Sequence, residues 1–288
     1  MASYRFRILN VFAQTTLGGN PLAVFEDARG LDDATMQALA RQFNLSETTF
    51  VLPSEIATAR VRIFTPNFEM PFAGHPTLGT AHVVRELKNA GDALILEMQA
   101  GCIPVEASGD EWTLRANAPT SRPFAASPSD LANAFGLSVN DIAADPLWVS
   151  TGNEQLVVPL SSVEAIDRCR PDSRLIDEVC GDGQRNKIYL WAKDGAPANG
   201  VQAGVQHASV RFFFPNNGAL SEDPGTGSAC ANLGGYFVVT QMTLPQTWVL
   251  RQGTHINKPC QLHLHVDAQR AIFVGGRVIE LGRGEISL

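Results

Sequence analysis

Apolar residues come along this chain in short runs bounded by turn-forming residues, a pattern that predicts many short strands. Arg5–Phe12, Pro21–Phe25, Thr48–Leu52 and Ala59–Phe64 read as strands. Among them Met36, Leu39, Ala40 and Phe43 fall at i, i+3, i+4 and i+7, which predicts an amphipathic helix over Asp32–Phe43. Leu94–Met98, Ile103–Ala107 and Trp112–Ala116 continue the strand pattern, the last two separated by a Gly109-Asp110 turn. Ala118–Pro128, rich in Pro, Ser and Ala, reads as a linker. Beyond it come a short helix near Leu131–Phe135 and strands at Trp148–Val149, Gln155–Pro159, Lys187–Ala192 and Ser209–Phe214. Thr247–Leu250, Gln261–Val266, Ala271–Val274 and Arg277–Leu281 complete the set. Strands dominate and do not alternate with helices, so the class is α+β.

The pattern repeats. Val61–Asn67 reads VRIFTPN and Val210–Asn216 reads VRFFFPN. A few residues later Gly74–Ala81 reads GHPTLGTA and Glu222–Ala229 reads EDPGTGSA. A fainter echo pairs Gly19-Asn20 with Gly152-Asn153, each leading into an apolar strand. The shared order points to a duplicated chain with two pseudo-symmetric lobes. The linker sets them at residues 1–118 and 119–288, with the last strand free to pack on the first lobe.

Each copy predicts an unusual helix. Pro76 and Pro224 suit a first helical turn, where a missing N–H costs nothing, and mark His75 and Asp223 as cap positions. From Pro76 to Val84 the only ionisable residue is His82, and from Pro224 to Val239 there is none. A helix apolar all round is a buried one, so each lobe is expected to be a barrel-like sheet wrapped around a central helix. The start of such a helix carries unpaired N–H groups and partial positive charge, which suits a carboxylate. Gly79, Gly227, Thr77 and Ser228 would leave room for a ligand there; alternatively, the glycines serve only close packing. The active site is expected in the cleft between the lobes, where the two helix starts meet.

Composition narrows the partners. Hydrophobic residues make up 44% and charged residues 18% of 288, the balance of an ordinary globular protein. A net charge of −7 provides no footprint for nucleic acid or an anionic membrane surface. No apolar run is long enough to span a bilayer, and Met1–Ala13 does not read as a signal peptide. Cys102, Cys169, Cys180, Cys230 and Cys260 are scattered and form no CxxC pair, which favours a reducing, cytoplasmic setting. His263 and His265 share a strand face, but no third ligand accompanies them, so no metal site is expected.

Four segments together carry a family resemblance: GNPLAVF at Gly19–Phe25, NLSETTFV at Asn44–Val51, VRIFTPNFEMPFAGHPTLGTA at Val61–Ala81, and VRFFFPNNGALSEDPGTGSA at Val210–Ala229. In this combination and order the chain resembles the PhzF family of phenazine-biosynthesis-like isomerases, which share the diaminopimelate epimerase fold. The resemblance implies a cofactor-independent isomerase, commonly a homodimer, acting on a small carboxylic acid. It assigns the acid/base glutamate of a Ser-Glu-Thr motif to Glu47, with His75 and Asp223 as further catalytic groups. It places Asn20, Ser46, Gly74, Thr226, Gly227 and Ser228 against the substrate. Two departures bear on the substrate: Asn257-Lys258-Pro259 stands where a Gly-Arg-Pro triplet is common, and Gly225 stands where alanine is usual.

On its own chemistry, Glu47 in a desolvated cleft would have its pKa raised and could carry a proton between carbons. Otherwise it is an edge-strand acid facing water. His75 could titrate near neutrality and assist, and Asp223 could cap a helix, act on substrate, or both. His82 reads as a satisfied helix histidine and Cys230 as buried packing. Neither helix start holds a cysteine, which disfavours a two-thiol racemase. Arg62 and Arg211 hold matched strand positions as outward charges or as cations for the cleft. Three functions remain open: a proton-shuttling isomerase, an epimerase or racemase on a small acid, and a non-catalytic small-molecule-binding homologue.

Overall fold

The computed structural model describes residues 1–181, 186–195, 204–216 and 218–288. Of the four family-like segments only Asn217 lies outside them. The chain divides into two units, Met1–Arg115 with Gly275–Leu288, and Ala116–Val274.

The first unit runs β1 (Ser3–Val11), β2 (Asn20–Phe25), α1 (Asp33–Phe43), β3 (Glu47–Leu52), β4 (Ala59–Phe64), β5 (Glu69–Met70), α2 (Gly74–Leu87), β6 (Ala93–Met98), β7 (Gly101–Ser108) and β8 (Glu111–Arg115). The second unit runs β9 (Thr120–Pro123), α3 (Pro128–Ala134), β10 (Leu147–Ser150), β11 (Glu154–Pro159), α4 (Val163–Arg168), α5 (Ser173–Cys180) and β12 (Ile188–Asp194). It continues through β13 (Val205–Asn216), β14 (Ala219–Asp223), α6 (Gly227–Val239), β15 (Gln246–Gln252) and β16 (Cys260–Val266). The last strand, β17 (Ile272–Ser287), begins in the second unit and passes into the first at Gly275.

In the first unit the strands pair in the order β17–β1–β2–β3–β4–β6–β7–β8, and β8 returns to β17. The sheet is therefore a closed eight-stranded barrel, which leaves no open edge. Two of its pairings are parallel, β2–β3 and β4–β6. Crossovers of that kind need a long connection, and α1 and α2 supply it. The second unit repeats the plan. β9–β10–β11–β12–β13–β15–β16 pair in the same sense at every step, with β11–β12 and β13–β15 parallel. The first residues of β17 follow β16 in a hairpin, and Ala116 donates to the Ile272 carbonyl. β1 thus corresponds to β10, β2 to β11, β3 to β12, β4 to β13, and α2 to α6. The duplicated sequence is a duplicated fold.

Each barrel sorts its side chains by strand alternation. In the first unit Phe25, Phe50 and Phe64 point outward and pack with Met36, Leu39 and Ala40 of α1. Phe25 and Phe50 stack with centroids 4.9 Å apart. The inward residues meet α2, which packs on β1, β2, β3 and β8. Gly79 of α2 is part of that packing: a Cβ there would lie 2.5 Å from Leu22 Cδ2 and 2.9 Å from Val11 Cγ2. The small residue lets helix approach strand and does not open space for a ligand. In the second unit Ile188, Leu190, Ala192 and Phe213 face outward against Phe135, Ile166 and Ile176. Trp191 faces inward, edge-on to Phe237 of α6 at 5.5 Å.

Three local expectations are corrected. Ala118–Pro128 is not all linker, because β9 lies inside it and pairs with β10. α4 and α5, with six and eight residues, sit where no helix was expected, in the layer that α1 fills in the first unit. Neither special proline is a first helical residue. α2 starts at Gly74, so His75 is already in the helix, and α6 starts only at Gly227, three residues beyond Pro224.

Candidate active site

The two central helices differ from the outer four at their starts. α1, α3, α4 and α5 are capped by Asp32, Ser127, Ser162 and Asp172, each accepting from a backbone N–H of the first turn. α2 follows Ala73 and α6 follows Thr226, and neither residue makes a side-chain cap bond. Buried helix starts without side-chain caps keep N–H groups and positive dipole ends for another partner.

In the first unit α1 ends on Asn44 in the left-handed conformation (φ 52°), whose N–H closes the helix on the Ala40 carbonyl. Asn tolerates that geometry, and the chain turns through Leu45 and Ser46 directly into β3. Glu47 is therefore the first residue of β3, paired with Leu22 of β2 and aligned one residue before Thr48 opposite Phe64. Thr49, two residues on, faces inward and shares a 2.8 Å hydrogen bond with Thr80 of α2. Glu47 lies on that same face. Its carboxylate Oε2 is 3.4 Å from His75 Nδ1, with the two side chains 15% and 6% exposed.

His75 is held neutral. Burial pushes its pKa from 6.5 down to about 3, against a smaller opposing effect from a hydrogen bond to the Pro21 backbone. Its Nε2 is enclosed without a hydrogen-bond partner among the described residues. The expectation of a histidine titrating near neutrality is thus corrected: the imidazole serves as an uncharged donor or acceptor. Asn20 begins β2 and is buried, and Ser46 and Gly74 are partly buried beside Glu47 and His75 in sequence. The first unit so gathers Glu47 and His75, with Gly74 at the helix start.

The second unit gathers the rest. Asp223 ends β14, and the N-cap position of α6 falls to Thr226 further along the chain. Its Oδ2 accepts a hydrogen bond from the Thr226 hydroxyl. Gln252, at the end of β15, clasps the turn between them. Its amide nitrogen donates to the Asp223 carbonyl and to Thr226 Oγ1, both at 2.9 Å, and its oxygen accepts from the Thr226 N–H at 3.2 Å. Gly253 follows in the left-handed region (φ 77°), where a Cβ would come 2.5 Å from the Pro224 carbonyl. Ser228 Oγ accepts from Gln155 Nε2 at 2.9 Å, and Gln155 Oε1 accepts from Asn232 of α6 at 2.8 Å. Gly227 is the first helical residue, between Thr226 and Ser228. Gln252, Gln155 and Asn232 were not among the site residues expected from the sequence.

The remaining candidates have structural roles. His82 Nδ1 accepts from Trp112 Nε1 at 3.3 Å, and burial lowers its pKa. Cys230 is fully buried and its thiol is pushed far up, so it is packing. Arg62 and Arg211 each make a two-pronged bond to a glutamate, Glu69 and Glu222, and each lies over a phenylalanine two residues on, Phe64 and Phe213. His263 bonds Gln261 and His265 bonds Thr247.

The doubled barrel with a buried helix in each unit has counterparts among solved structures. A hydroxyproline epimerase of Agrobacterium vitis shares this fold at 12% identity with a TM-score of 0.62, over 99% of this chain and 93% of that one. Residues 9–281 match the family model of phenazine biosynthesis-like proteins. An uncharacterised isomerase of Pasteurella multocida is 40% identical over 99% of this chain and 95% of its own length. The trans-2,3-dihydro-3-hydroxyanthranilate isomerase of Pseudomonas aeruginosa is 33% identical over 92% and 91%. A PhzF-family phenazine biosynthesis protein of Bacillus anthracis superposes with a TM-score of 0.86 at 27% identity, covering all of both chains. The chain belongs to the PhzF family of isomerases. Among the described residues no helix is long and apolar enough to cross a membrane.

Proposed function

We propose that this isomerase moves a proton within a small carboxylic acid, with Glu47 as the group that carries it. The observation that supports this most directly is the pairing of Glu47 with neutral His75 at the uncapped start of α2. The Glu47 carboxylate takes a proton from an sp³ carbon next to a conjugated system. The electron pair delocalises, and Glu47 returns the proton at another carbon, so no atom is gained or lost. His75 donates or accepts a hydrogen bond at the substrate oxygen where charge gathers. The second unit provides Asp223, fixed by Thr226 and Gln252, to orient the substrate, and the Gly227 and Ser228 N–H groups to bind its carboxylate. Asn20, Ser46, Gly74 and Thr226 are the further substrate contacts.

A carboxylate that both removes and returns the proton needs no cofactor. Scattered cysteines with no CxxC pair favour a reducing, cytoplasmic setting, and the family resemblance favours a homodimer. Two-thiol racemisation is the poorer reading, because neither central helix begins with a cysteine.

The substrate named for the Pseudomonas aeruginosa relative, trans-2,3-dihydro-3-hydroxyanthranilate, is the first compound to try. Asn257-Lys258-Pro259 argues for also testing other small unsaturated acids. The experiment follows solvent deuterium into each acid by NMR and compares wild type with Glu47→Gln. Loss of about 10²–10⁴-fold in rate is expected for the variant. A Glu47→Gln enzyme within about threefold of wild type would remove Glu47 from the role. Exchange without movement of a double bond would indicate epimerisation, and binding without exchange a non-catalytic homologue.

A further inference from the structure

The duplication gives Glu47 a counterpart that sequence comparison hides. In the first unit Thr48 pairs with Phe64 of the VRIF strand, and in the second Ile188 pairs with Phe213 of the VRFF strand. Phe64 and Phe213 occupy the same place in the repeat, so Thr48 corresponds to Ile188. The residue before each is then the same position, and it is Glu47 in one unit and Lys187 in the other. The neighbouring inward position follows suit, with Thr49 matched by Tyr189.

Lys187 is partly buried, and among the described residues no carboxylate pairs with it. Its only described hydrogen bond goes from Nζ to Asn153 Oδ1 at 3.2 Å, a neutral amide. Burial lowers its pKa, and among the described residues no opposing charge offsets the loss of water. An ammonium has three donors, so most of its hydrogen-bonding capacity and all of its charge remain unanswered. Tyr189, on the same inward face, ends in an enclosed hydroxyl that has no hydrogen-bond partner among the described residues. Asn153 is fixed in turn. Its backbone carbonyl accepts from Asn232 Nδ2 at 2.8 Å, and Asn232 holds Thr151 and Gln155. Gln155 reaches Ser228 at the start of α6. A frame of amides, buried at Gln155 and Asn232, thus links the site of the lysine to the start of α6 in its own unit. Such a frame holds a cation in place without neutralising it, as an anion-binding site requires.

We infer that Lys187 is a substrate-binding residue whose ammonium pairs with an acidic group of the substrate, so that the duplicated position serves as proton carrier in one unit and as anion anchor in the other. The inference deepens the isomerase reading and rests on it for the ligand. It restricts the ligand to acids and predicts discrimination against neutral isosteres.

Isothermal titration of the full-length protein with anthranilate and with anthranilamide tests it. The two probes share a ring and an amine and differ in charge. Wild type is expected to prefer anthranilate by about tenfold or more, the usual worth of a hydrogen bond to a charged group. Lys187→Met should lose most of that preference, and Lys187→Arg should keep it. Lys187→Gln serves as a second neutral variant if Lys187→Met does not fold. Without ligand, the neutral variants should melt no lower than wild type, since they remove an unpaired, partly buried charge. Equal preference in wild type and both neutral variants would overturn the inference, as would no preference in wild type. Deuterium exchange measured on the same proteins separates the readings. A protein that selects the acid through Lys187 but exchanges no proton keeps the anchor and loses the isomerase. One that exchanges protons and ignores Lys187 does the reverse.

Discussion

His75 shows how burial decides what a residue type can do. The sequence places a histidine beside a proline and a glycine, and nothing in GHPT says whether the ring meets water. The barrel encloses it, and the ring stays neutral down to about pH 3. This has a consequence for stability. Between its ordinary pKa of 6.5 and about 3, the unfolded chain binds a proton at this position and the folded chain does not. The stabilising contribution is complete above 6.5 and falls away as the pH drops through that window. The expected slope is about 1.4 kcal/mol per pH unit for one proton. Urea unfolding at pH 7.5 and at 5.5, for wild type and His75→Phe, measures it. The wild type should lose more stability on acidification than the variant, while His82, shifted in the same direction by burial, is present in both and cancels. Parallel slopes would mean that the ring is not kept uncharged by the fold.

At the level of elements, the matched arginines carry unequal weight. Arg211 and Glu222 are each 8% exposed at the side chain, and Arg211 also donates to the Ile166 and Cys169 carbonyls, tying the β13–β14 hairpin to α4. Arg62 and Glu69 are 16% and 27% exposed, in a pair that water partly screens. Cutting one partner from a buried pair strands a charge, so Arg211→Met should cost about 3–5 kcal/mol. Arg62→Met should cost nearer 1 kcal/mol. Adding Glu222→Leu to Arg211→Met should recover a large part of the loss, and a double-mutant cycle in urea measures the coupling. Additive losses would show that the pair is not a unit. The strands and the two central helices were legible because apolar runs and charge-free stretches mark them directly. α4 and α5 were not, since six and eight residues give too few turns for a helical period to emerge. β9 was hidden because all four of its residues are exposed, and its partner β10 lies far along the chain. The helix starts were misplaced for a physical reason too. Proline marks a permitted first turn, but the turn after Asp223 is fixed by Gln252, a residue of a distant strand.

Over the whole molecule, the repeat was legible where both copies keep the same side chains and illegible where they have diverged. Glu47 and Lys187 share a position that only the strand register reveals, because opposite charges leave no trace of common origin. The route of β17 was likewise beyond the sequence, which showed two separate apolar runs where the structure has one strand of sixteen residues. That strand begins in the second unit and closes the barrel of the first, pairing along the whole of β1 from Val278 opposite Val11 to Ser287 opposite Ser3. A chain ending at Val274 would therefore leave β1 and β8 each with an open edge, and the first unit should unfold while the second keeps its strand ladder. The termini offer the complementary experiment. Ala2 and Leu288 exchange both backbone hydrogen bonds, at 2.8 and 2.9 Å, so a two-residue Asn-Gly turn can join the two ends of the hairpin. A chain running from Gly275 through Leu288, across that turn, and on from Ala2 to Arg115 contains every strand of the first barrel in one segment. It should fold alone, with dispersed amide resonances and a cooperative urea transition, whereas Met1–Arg115 without the strand should not. If both fragments fold equally well, barrel closure by β17 is dispensable to the first unit.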